Sequence, residues 1–288
     1  MFADKRVVIV TPAGRRRYME ILLPQVQRLR DAGLADEYRL WVNTTDADDI
    51  RWMEQAAAAD PDFVKLARLT IPHDGSFSIY SFFKNCVDPG TVYVRFDDDL
   101  VLLDDPARFA EFLAFRIAHP EYFLVYGNIL NNAAIAYLHQ RVGTLDAAAG
   151  VTGAECMDAT GWKSPQFVRN LHEQVLSARD LARFRLPFNW ALLNYERVSI
   201  NCISWLGEQF AAFGGKIAKD EEACLASDRP KLMKMPNCIF GGFVCVHYAF
   251  YVQRDKLEAT DVLARYRDWA QERVAAAAPP AAPDSAPV

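Results

Sequence analysis

Apolar and polar residues follow two different periods along the first third of the chain. Four short apolar runs, most of them rich in β-branched residues, predict buried strands: 6–10, 38–43, 64–71 and 91–96. The stretches between them carry apolar residues at helical spacing and predict helices: 15–32, 47–59 and 78–85. Strand and helix alternate here, which predicts an α/β fold with a mostly parallel, Rossmann-like sheet flanked by helices.

The remainder of the chain is less regular. Its patterns predict strands at 121–128 and 238–251, and helices at 107–118, 203–213, 220–226 and 261–275. The segment 131–204 combines aromatic residues with Gly and Pro and shows no clear period. The end of the chain, AAAAPPAAPDSAPV, has low complexity, so we predict that 271–288 is a disordered Ala/Pro-rich tail.

Three consecutive carboxylates, Asp97–Asp99, directly follow the fourth predicted strand. Side chains at i and i+2 of an extended chain point the same way, so Asp97 and Asp99 could share one target while Asp98 turns elsewhere. Carboxylates crowded together repel each other unless a cation is present, and Mg²⁺ and Mn²⁺ prefer oxygen ligands. A solvated turn before a helix is the simpler interpretation, but the position after a buried strand favours a metal and diphosphate site.

Two further loops should reach the same edge of a parallel sheet. The first, from Thr11 through Pro12 and Gly14, leads into a helix beginning with Arg15, Arg16 and Arg17. Backbone amides at a helix start attract anions, whereas three arginines there oppose the helix dipole, which points to a phosphate partner for Arg15 and Arg17 ahead of Arg16. Surface arginines without a ligand are the alternative.

The second loop holds Asn43 and Thr44, either as nucleotide contacts or as a helix cap. Lys84 precedes the fourth strand and is a further candidate for a phosphate contact. Four histidines, His73, His119, His139 and His172, lack a chemical context and are interpreted as surface or structural residues.

TVYVRFDDDLV resembles the strand and DXD motif of GT-A glycosyltransferases. The segments VVIVTPAGRRRY, LWVNT and GGFVCVHYAFYVQR also resemble a bacterial family of DXD-containing glycosyltransferases, and together the four cover most of the chain up to about Tyr266. This resemblance implies a GT-A fold with a nucleotide-binding half at 1–125 and an acceptor-binding half at 126–270 of the same domain.

The resemblance also implies roles for individual residues. Asp99 becomes the expected metal ligand, Asp97 a ribose or metal contact, and Asp98 a further nucleotide contact. His247 becomes a third metal ligand, although a lone His in an apolar strand is commonly a structural residue. An acidic residue at a late helix start, Glu221 or Asp220, becomes the general base, while helix capping is the simpler interpretation.

Composition narrows the choice of function. The net charge of −5 and the pI of about 5.6 argue against nucleic-acid binding. Six cysteines without a CxxC pair indicate core thiols in a reducing compartment, so we expect a cytoplasmic protein. No signal peptide and no apolar run of about 20 residues is visible, which predicts no transmembrane segment and leaves peripheral membrane association open.

The sequence thus predicts an enzyme of glycan or polysaccharide biosynthesis. It would move a sugar from a UDP-, GDP- or CMP-linked nucleotide-sugar to a hydroxyl acceptor with Mn²⁺ or Mg²⁺. Three alternatives remain. A haloacid-dehalogenase-like phosphatase would use the triplet as nucleophile and general acid, and a nucleotidyltransferase would use it for the same metal and phosphate chemistry. A non-catalytic binding module would depend on the triplet only for fold stability. The phosphatase motif normally ends the first strand of its domain, whereas two or more strand–helix units precede Asp97 here.

Overall fold

One sheet of nine strands runs through the molecule in a computed structural model that describes residues 1–148 and 150–277. The strands are β1 (Arg6–Ala13), β2 (Glu37–Val42), β3 (Val64–Arg68), β4 (Thr91–Phe96), β5 (Leu100–Leu103), β6 (Val125–Leu130), β7 (Trp190–Leu192), β8 (Cys202–Leu206) and β9 (Asn237–His247). Their order is β3-β2-β1-β4-β8-β6-β9-β5, and β7 pairs with β9 outside this path.

Helices cover the sheet. The α-helices are α1 (Arg16–Asp31), α2 (Ala47–Ala59), α3 (Pro106–Ala118), α4 (Ala133–Arg141), α5 (Pro165–Ala178), α6 (Gly207–Ala211), α7 (Glu221–Ala223), α8 (Arg229–Met233), α9 (Tyr251–Glu258) and α10 (Val262–Ala277). Two 3₁₀-helices at Ile79–Asn85 and Leu181–Phe184 and a π-helix at Cys224–Asp228 complete the set.

The predicted α/β class is confirmed, and the first four strands are parallel to one another. β1 lies between β2 and β4 in the sheet. Val7–Val10 are fully buried, so both faces of β1 are covered. Such central parallel strands require apolar residues on both sides, which is why their β-branched runs could be recognised in the sequence. The sheet as a whole is mixed, because β8 runs antiparallel to both β4 and β6.

The helix predicted at 203–213 is wrong in its first half. Cys202–Leu206 forms β8 in the middle of the sheet, and only the short α6 follows it. All five residues of β8 are buried, and pairing with β4 on one side and β6 on the other satisfies their backbone. A short apolar run has no period that separates a buried strand from a buried helix, so its tertiary partners decide.

Several elements that follow β4 were not predicted: β5, β7, α4, α5 and α9. The strand predicted at 238–251 ends earlier, at His247, and α9 begins at Tyr251. The last helix continues to Ala277, so 271–277 is helical and not part of a disordered tail. The rest of the predicted tail, 278–288, lies outside the described residues.

The carboxyl ends of the parallel strands share one edge of the sheet. β1, β2, β4, β6 and β9 all end there, and the antiparallel β8 begins there, opposite Phe96 at the end of β4. In open α/β sheets, ligands bind in the crevice beyond this edge. None of the helices within 1–148 and 150–277 is both long and apolar enough to cross a lipid bilayer.

Candidate functional site

A cavity of about 600 Å³ opens at this edge of the sheet. This volume lies in the range of small-molecule sites. Residues from the loops after β1, β2, β4 and β9 line it together, although they are far apart in the sequence. Its lining includes Gly14, Arg15, Asn43, Thr44, Asp97–Asp99, Glu221, His247 and Arg254.

Asp97 is held by two neighbours that the sequence did not indicate. The guanidinium of Arg95 donates to Oδ1 through Nε at 2.9 Å, and the amide of Asn201 donates to Oδ2 at 3.0 Å. Burial raises the pKa of Asp97, and the positive charge of Arg95 offsets this only in part. Arg95 is itself buried and binds Glu221 through Nη1 at 2.8 Å, so one cation joins the two carboxylates.

Strand geometry predicts that Asp98 turns away from Asp97 and Asp99, but in the structure Asp98 is not turned away from them. Phe96 is the last strand residue, so the alternation of an extended chain no longer applies to the triplet. Both oxygens of Asp98 bind Arg15, and the backbone amide of Gly14 lies 3.3 Å from Oδ2. Arg15 also reaches Asp99, so it ties the first loop to the triplet.

Asp99 is almost fully buried and lies among two guanidinium groups and one imidazole. Arg15 and Arg254 each place an Nη2 3.1 Å from its Oδ2, and Nε2 of His247 lies 3.5 Å from its Oδ1. Burial alone would raise the pKa of this carboxyl, but the surrounding cations outweigh it and hold the pKa well below its usual range. Asp99 is therefore ionised at neutral pH.

His247 is oriented by the backbone. Its Nδ1 donates to the carbonyl of Asn131 at 3.0 Å, which leaves Nε2 facing Asp99. Asn131 adopts a left-handed conformation with φ of 62°, and its side-chain amide binds the carbonyl of Tyr248 at 3.0 Å. Burial on its own would lower the pKa of His247. The nearby Asp99 raises this pKa by more than burial lowers it, so the pKa lies above its ordinary value.

A carboxylate and an imidazole nitrogen 3.5 Å apart, with the imidazole fixed from behind, fit two neighbouring ligands of one divalent ion. Asp97 lines the same cavity, and Arg95 and Asn201 each donate to one of its oxygens. In the part of the chain that the structure describes, no three His, Cys, Asp or Glu side chains converge closely enough to hold an ion alone. An ion at Asp99 and His247 would take its other ligands from water and a bound phosphate.

Glu221 lies in the same cavity, and its carboxyl group is buried. Burial raises its pKa to about 7, although Arg95 works against this rise. Oε1 accepts from Arg95, whereas Oε2 is buried and has no hydrogen-bond partner. A carboxylate with one unpaired oxygen and a pKa near neutrality is equipped to accept a proton.

Four residues predicted for the site do not line the cavity: Thr11, Arg17, Lys84 and Asp220. Thr11 is buried in β1, and its hydroxyl accepts from Tyr38 at 3.0 Å. Arg17 points away along the first turn of α1 and binds Glu258. Their positions relative to the helix explain this difference. Arg15 precedes α1 and faces Asp98, whereas Arg17 lies inside the first turn of α1 and projects in another direction.

The other two residues also have structural roles. Lys84 donates to the hydroxyl of Thr70 at 2.9 Å. Asp220 caps α7 by accepting from the amide of Ala223 at 3.0 Å, and it is exposed, so the capping interpretation holds for it. Of the two candidate acidic residues, Glu221 faces the cavity and Asp220 does not.

The ends of β1 and β2 and the loops that follow them also contribute to the cavity. Pro12, Gly14, Asn43 and Thr44 all line it, as predicted. His73, interpreted from the sequence as a surface or structural residue, lines it as well and lies 3.2 Å from the carbonyl of Asn43. The side chain of Asn43 donates to the Gly75 carbonyl at 3.0 Å, while its Oδ1 is buried without a partner.

Three residues central to this geometry were missed in the sequence: Arg95, Asn201 and Arg254. Only Arg95 carried a signal, because an arginine inside the buried run TVYVRF must have a charged partner. Asn201 precedes a strand that was taken for a helix. Arg254 lies on α9, which was not predicted at all.

No family model and no curated protein matches the chain. Among solved structures it is similar to a mannosyltransferase from Pyrobaculum calidifontis in complex with GDP-Man and Mn²⁺, with 13% identity, 95% of this chain and 74% of that one covered, and a TM-score of 0.48. It is also similar to glucosyl-3-phosphoglycerate synthase from Mycobacterium tuberculosis, with 14% identity, 95% and 81% covered, and a TM-score of 0.46.

A third similar structure is GalNAc-T7 with UDP, GalNAc and Mn²⁺, at 10% identity, a TM-score of 0.49, and 86% and 44% of the two chains covered. Identities this low, with TM-scores below 0.5, say nothing about the donor, the metal or the acceptor of this chain. Its function has to be argued from the residues of its own cavity.

Proposed function

We propose that the protein is a metal-dependent glycosyltransferase that takes a sugar from a nucleotide-sugar and passes it to a hydroxyl acceptor. The observation that carries this proposal is the pairing of Asp99 with His247, flanked by Arg15 and Arg254, in a cavity at the carboxyl edge of the sheet. Oxygen and imidazole donors beside two guanidinium groups suit a divalent ion together with a diphosphate.

The nucleotide would lie across the edge, with its base and ribose toward Asn43 and Thr44. Asn43 offers an unpaired acceptor there, and Gly14 lets the loop after β1 pack against Asn43, since a Cβ at Gly14 would lie 2.9 Å from the Asn43 carbonyl oxygen. The diphosphate would then lie beside Asp99 and His247. A divalent ion bound there would neutralise the charge that develops on the leaving nucleotide.

Arg15 and Arg254 already neutralise Asp98 and Asp99 in the protein alone. Asp99 and His247 would hold the ion, and Arg15 and Arg254 would then be available to bind phosphate oxygens, for which guanidinium geometry is well suited.

Glu221 is the proposed general base. Its unpaired Oε2 would take the proton of the acceptor hydroxyl as that oxygen bonds to the anomeric carbon and the nucleotide leaves with the electrons of the broken bond. Arg95 keeps Glu221 in place and links it to Asp97. A phosphatase mechanism is less favoured, because its nucleophile would be Asp97, whose oxygens are both hydrogen-bonded.

Titration of UDP, GDP and CMP with and without Mn²⁺, followed by the melting temperature, tests the proposal. A ligand that binds only the folded state raises the melting temperature, and about 100 times its Kd contributes ~2.7 kcal/mol of stability. We expect one nucleotide to give a rise that requires Mn²⁺. Stabilisation by Mn²⁺ alone, with no response to any nucleotide, would count against a nucleotide-sugar enzyme.

A further inference from the structure

Three aromatic side chains next to His247 form a cluster, called the aromatic rim. The ring of Phe250 packs on His247 with centroids 4.7 Å apart, and Trp162 lies 6.2 Å from Phe250 and 5.5 Å from Tyr251. Phe250 and Tyr251 line the cavity itself. Tyr251 is 71% exposed, although it begins a helix whose neighbours are packed against the body of the protein.

The charges near this rim do not suit an anionic acceptor. Glu221 and Glu222 line the same cavity, and Asp220 adjoins them. Among the described residues that line the cavity, each arginine already donates to a carboxylate: Arg15 to Asp98, Arg95 to Asp97 and Glu221, and Arg254 to Asp99. With the donor diphosphate on Arg15 and Arg254, a phosphate or carboxylate on the acceptor would find no unpaired arginine in the described lining of the cavity. It would meet Glu221 and Glu222, of which Glu222 is paired with Arg197.

An uncharged sugar ring fits both observations. A pyranose presents C–H groups on its faces and hydroxyls at its edge, so it can cover an aromatic ring and still hydrogen-bond to carboxylates. We propose that the rim of Trp162, Phe250 and Tyr251 binds the neutral pyranose ring of the acceptor. This inference rests on the proposed function, because it makes that ring the acceptor for the sugar carried beside Asp99.

The acceptor is then a carbohydrate, and its attacking hydroxyl belongs to the ring on the aromatic rim. Tyr251 is the residue best suited to a test, because its exposed ring contributes little to folding. Its hydroxyl is unnecessary for stacking, so Tyr251→Phe retains the proposed contact while Tyr251→Ala removes it. Leu232, 73% exposed and outside the cavity, offers a control for the loss of an exposed apolar side chain.

Saturation-transfer NMR titrations with methyl α-D-glucopyranoside, methyl α-D-mannopyranoside and methyl β-D-galactopyranoside test this. We expect at least one to bind through its ring C–H protons, about tenfold more weakly in Tyr251→Ala. Tyr251→Phe and Leu232→Ala should match the unmodified protein. Binding of glycerol 3-phosphate but of no methyl glycoside, or equal affinity in Tyr251→Ala, would overturn the inference.

Repeating the titration with a saturating, intact nucleotide-sugar separates the acceptor from the transferred sugar. The methyl glycoside should still bind, and its displacement would assign the rim to the donor's sugar and refute the acceptor role. The metal-dependent nucleotide response of Tyr251→Ala should be unchanged. A nucleotide response without glycoside binding therefore defeats this inference alone, whereas its absence from the unmodified protein defeats the proposed function.

Discussion

Replacing Asp99 with Asn is expected to abolish the Mn²⁺-dependent rise in melting temperature produced by the nucleotide. Asparagine keeps the size of the side chain but loses the charge that Arg15, Arg254 and His247 surround. Loss of groups that merely orient a metal ligand weakens metal binding about 10–100-fold, so loss of the ligand itself should weaken it by at least ~100-fold. Titration of Mn²⁺ at fixed nucleotide measures this change.

Asp104→Asn is the matched control. Asp104 is equally buried and binds Arg185 through both oxygens, but it does not line the cavity. Both substitutions remove one partner of a buried ion pair, which costs about 3–5 kcal/mol of stability in either case. Only Asp99→Asn should lose the response to nucleotide with Mn²⁺. Equal responses in the two variants would show that Asp99 does not hold the ion.

Glu221→Gln should lower the rate of sugar transfer about 10²–10⁴-fold while nucleotide binding with Mn²⁺ stays unchanged. Glutamine can still accept from Arg95, but it cannot take a proton. The unmodified enzyme should become more active as the pH rises toward the Glu221 pKa of about 7, since only the ionised carboxylate is a base. Unaltered transfer by the variant would exclude Glu221 as the base and leave a retaining mechanism open.

Glu221→Gln should lower activity, but as the pH rises it should make the protein more stable relative to the unmodified protein. The pKa of Glu221 is raised from 4.5 to about 7 in the folded protein, so the unfolded chain loses this proton first as the pH rises. Ionisation therefore favours unfolding between these two values. The melting temperature of Glu221→Gln, relative to that of the unmodified protein, should be higher at pH 8 than at pH 5. A difference independent of pH would contradict the raised pKa.

The first half of the fold could be predicted because its strands are central and parallel. Residues in β1 and β4 are covered on both faces, so unbroken apolar runs mark them in the sequence. Helix α2 and strand β4 have the predicted boundaries. Because parallel strands share a carboxyl edge, the meeting of Gly14, Asn43 and the Asp97–Asp99 triplet also followed from the pattern.

The elements of the second half could not be predicted from the sequence, because pairing with strands that are distant in the sequence determines them. β8 is a strand since β4 and β6 flank it, and nothing in its five residues records those partners. Without β8, the position of Asn201 beside Asp97 could not be foreseen. Helix α9 begins only four residues after the end of β9, so the apolar run that ends near Phe250 concealed the start of the helix that carries Arg254.

Individual contacts in the site were predicted less well than its location. Arg17 and Lys84 have the right charge in the right loops, but helix phase and local partners turn them toward Glu258 and Thr70. Arg95 binds the carboxylate of Asp97 and Arg254 binds that of Asp99 instead. Sequence spacing gives the face of an element, whereas the choice among charged partners on that face depends on how the elements pack.

The measurement that tests the account most directly is consumption of nucleotide-sugars by the purified protein. Common UDP-, GDP- and CMP-sugars would be incubated with Mn²⁺ and the three methyl pyranosides, and the released nucleotide would be quantified. The account predicts release from one nucleotide class, a glycosylated product, and loss of both with a chelator or in Asp99→Asn. Release from none of them, accompanied by metal-dependent hydrolysis of a simple phosphate monoester, would contradict it.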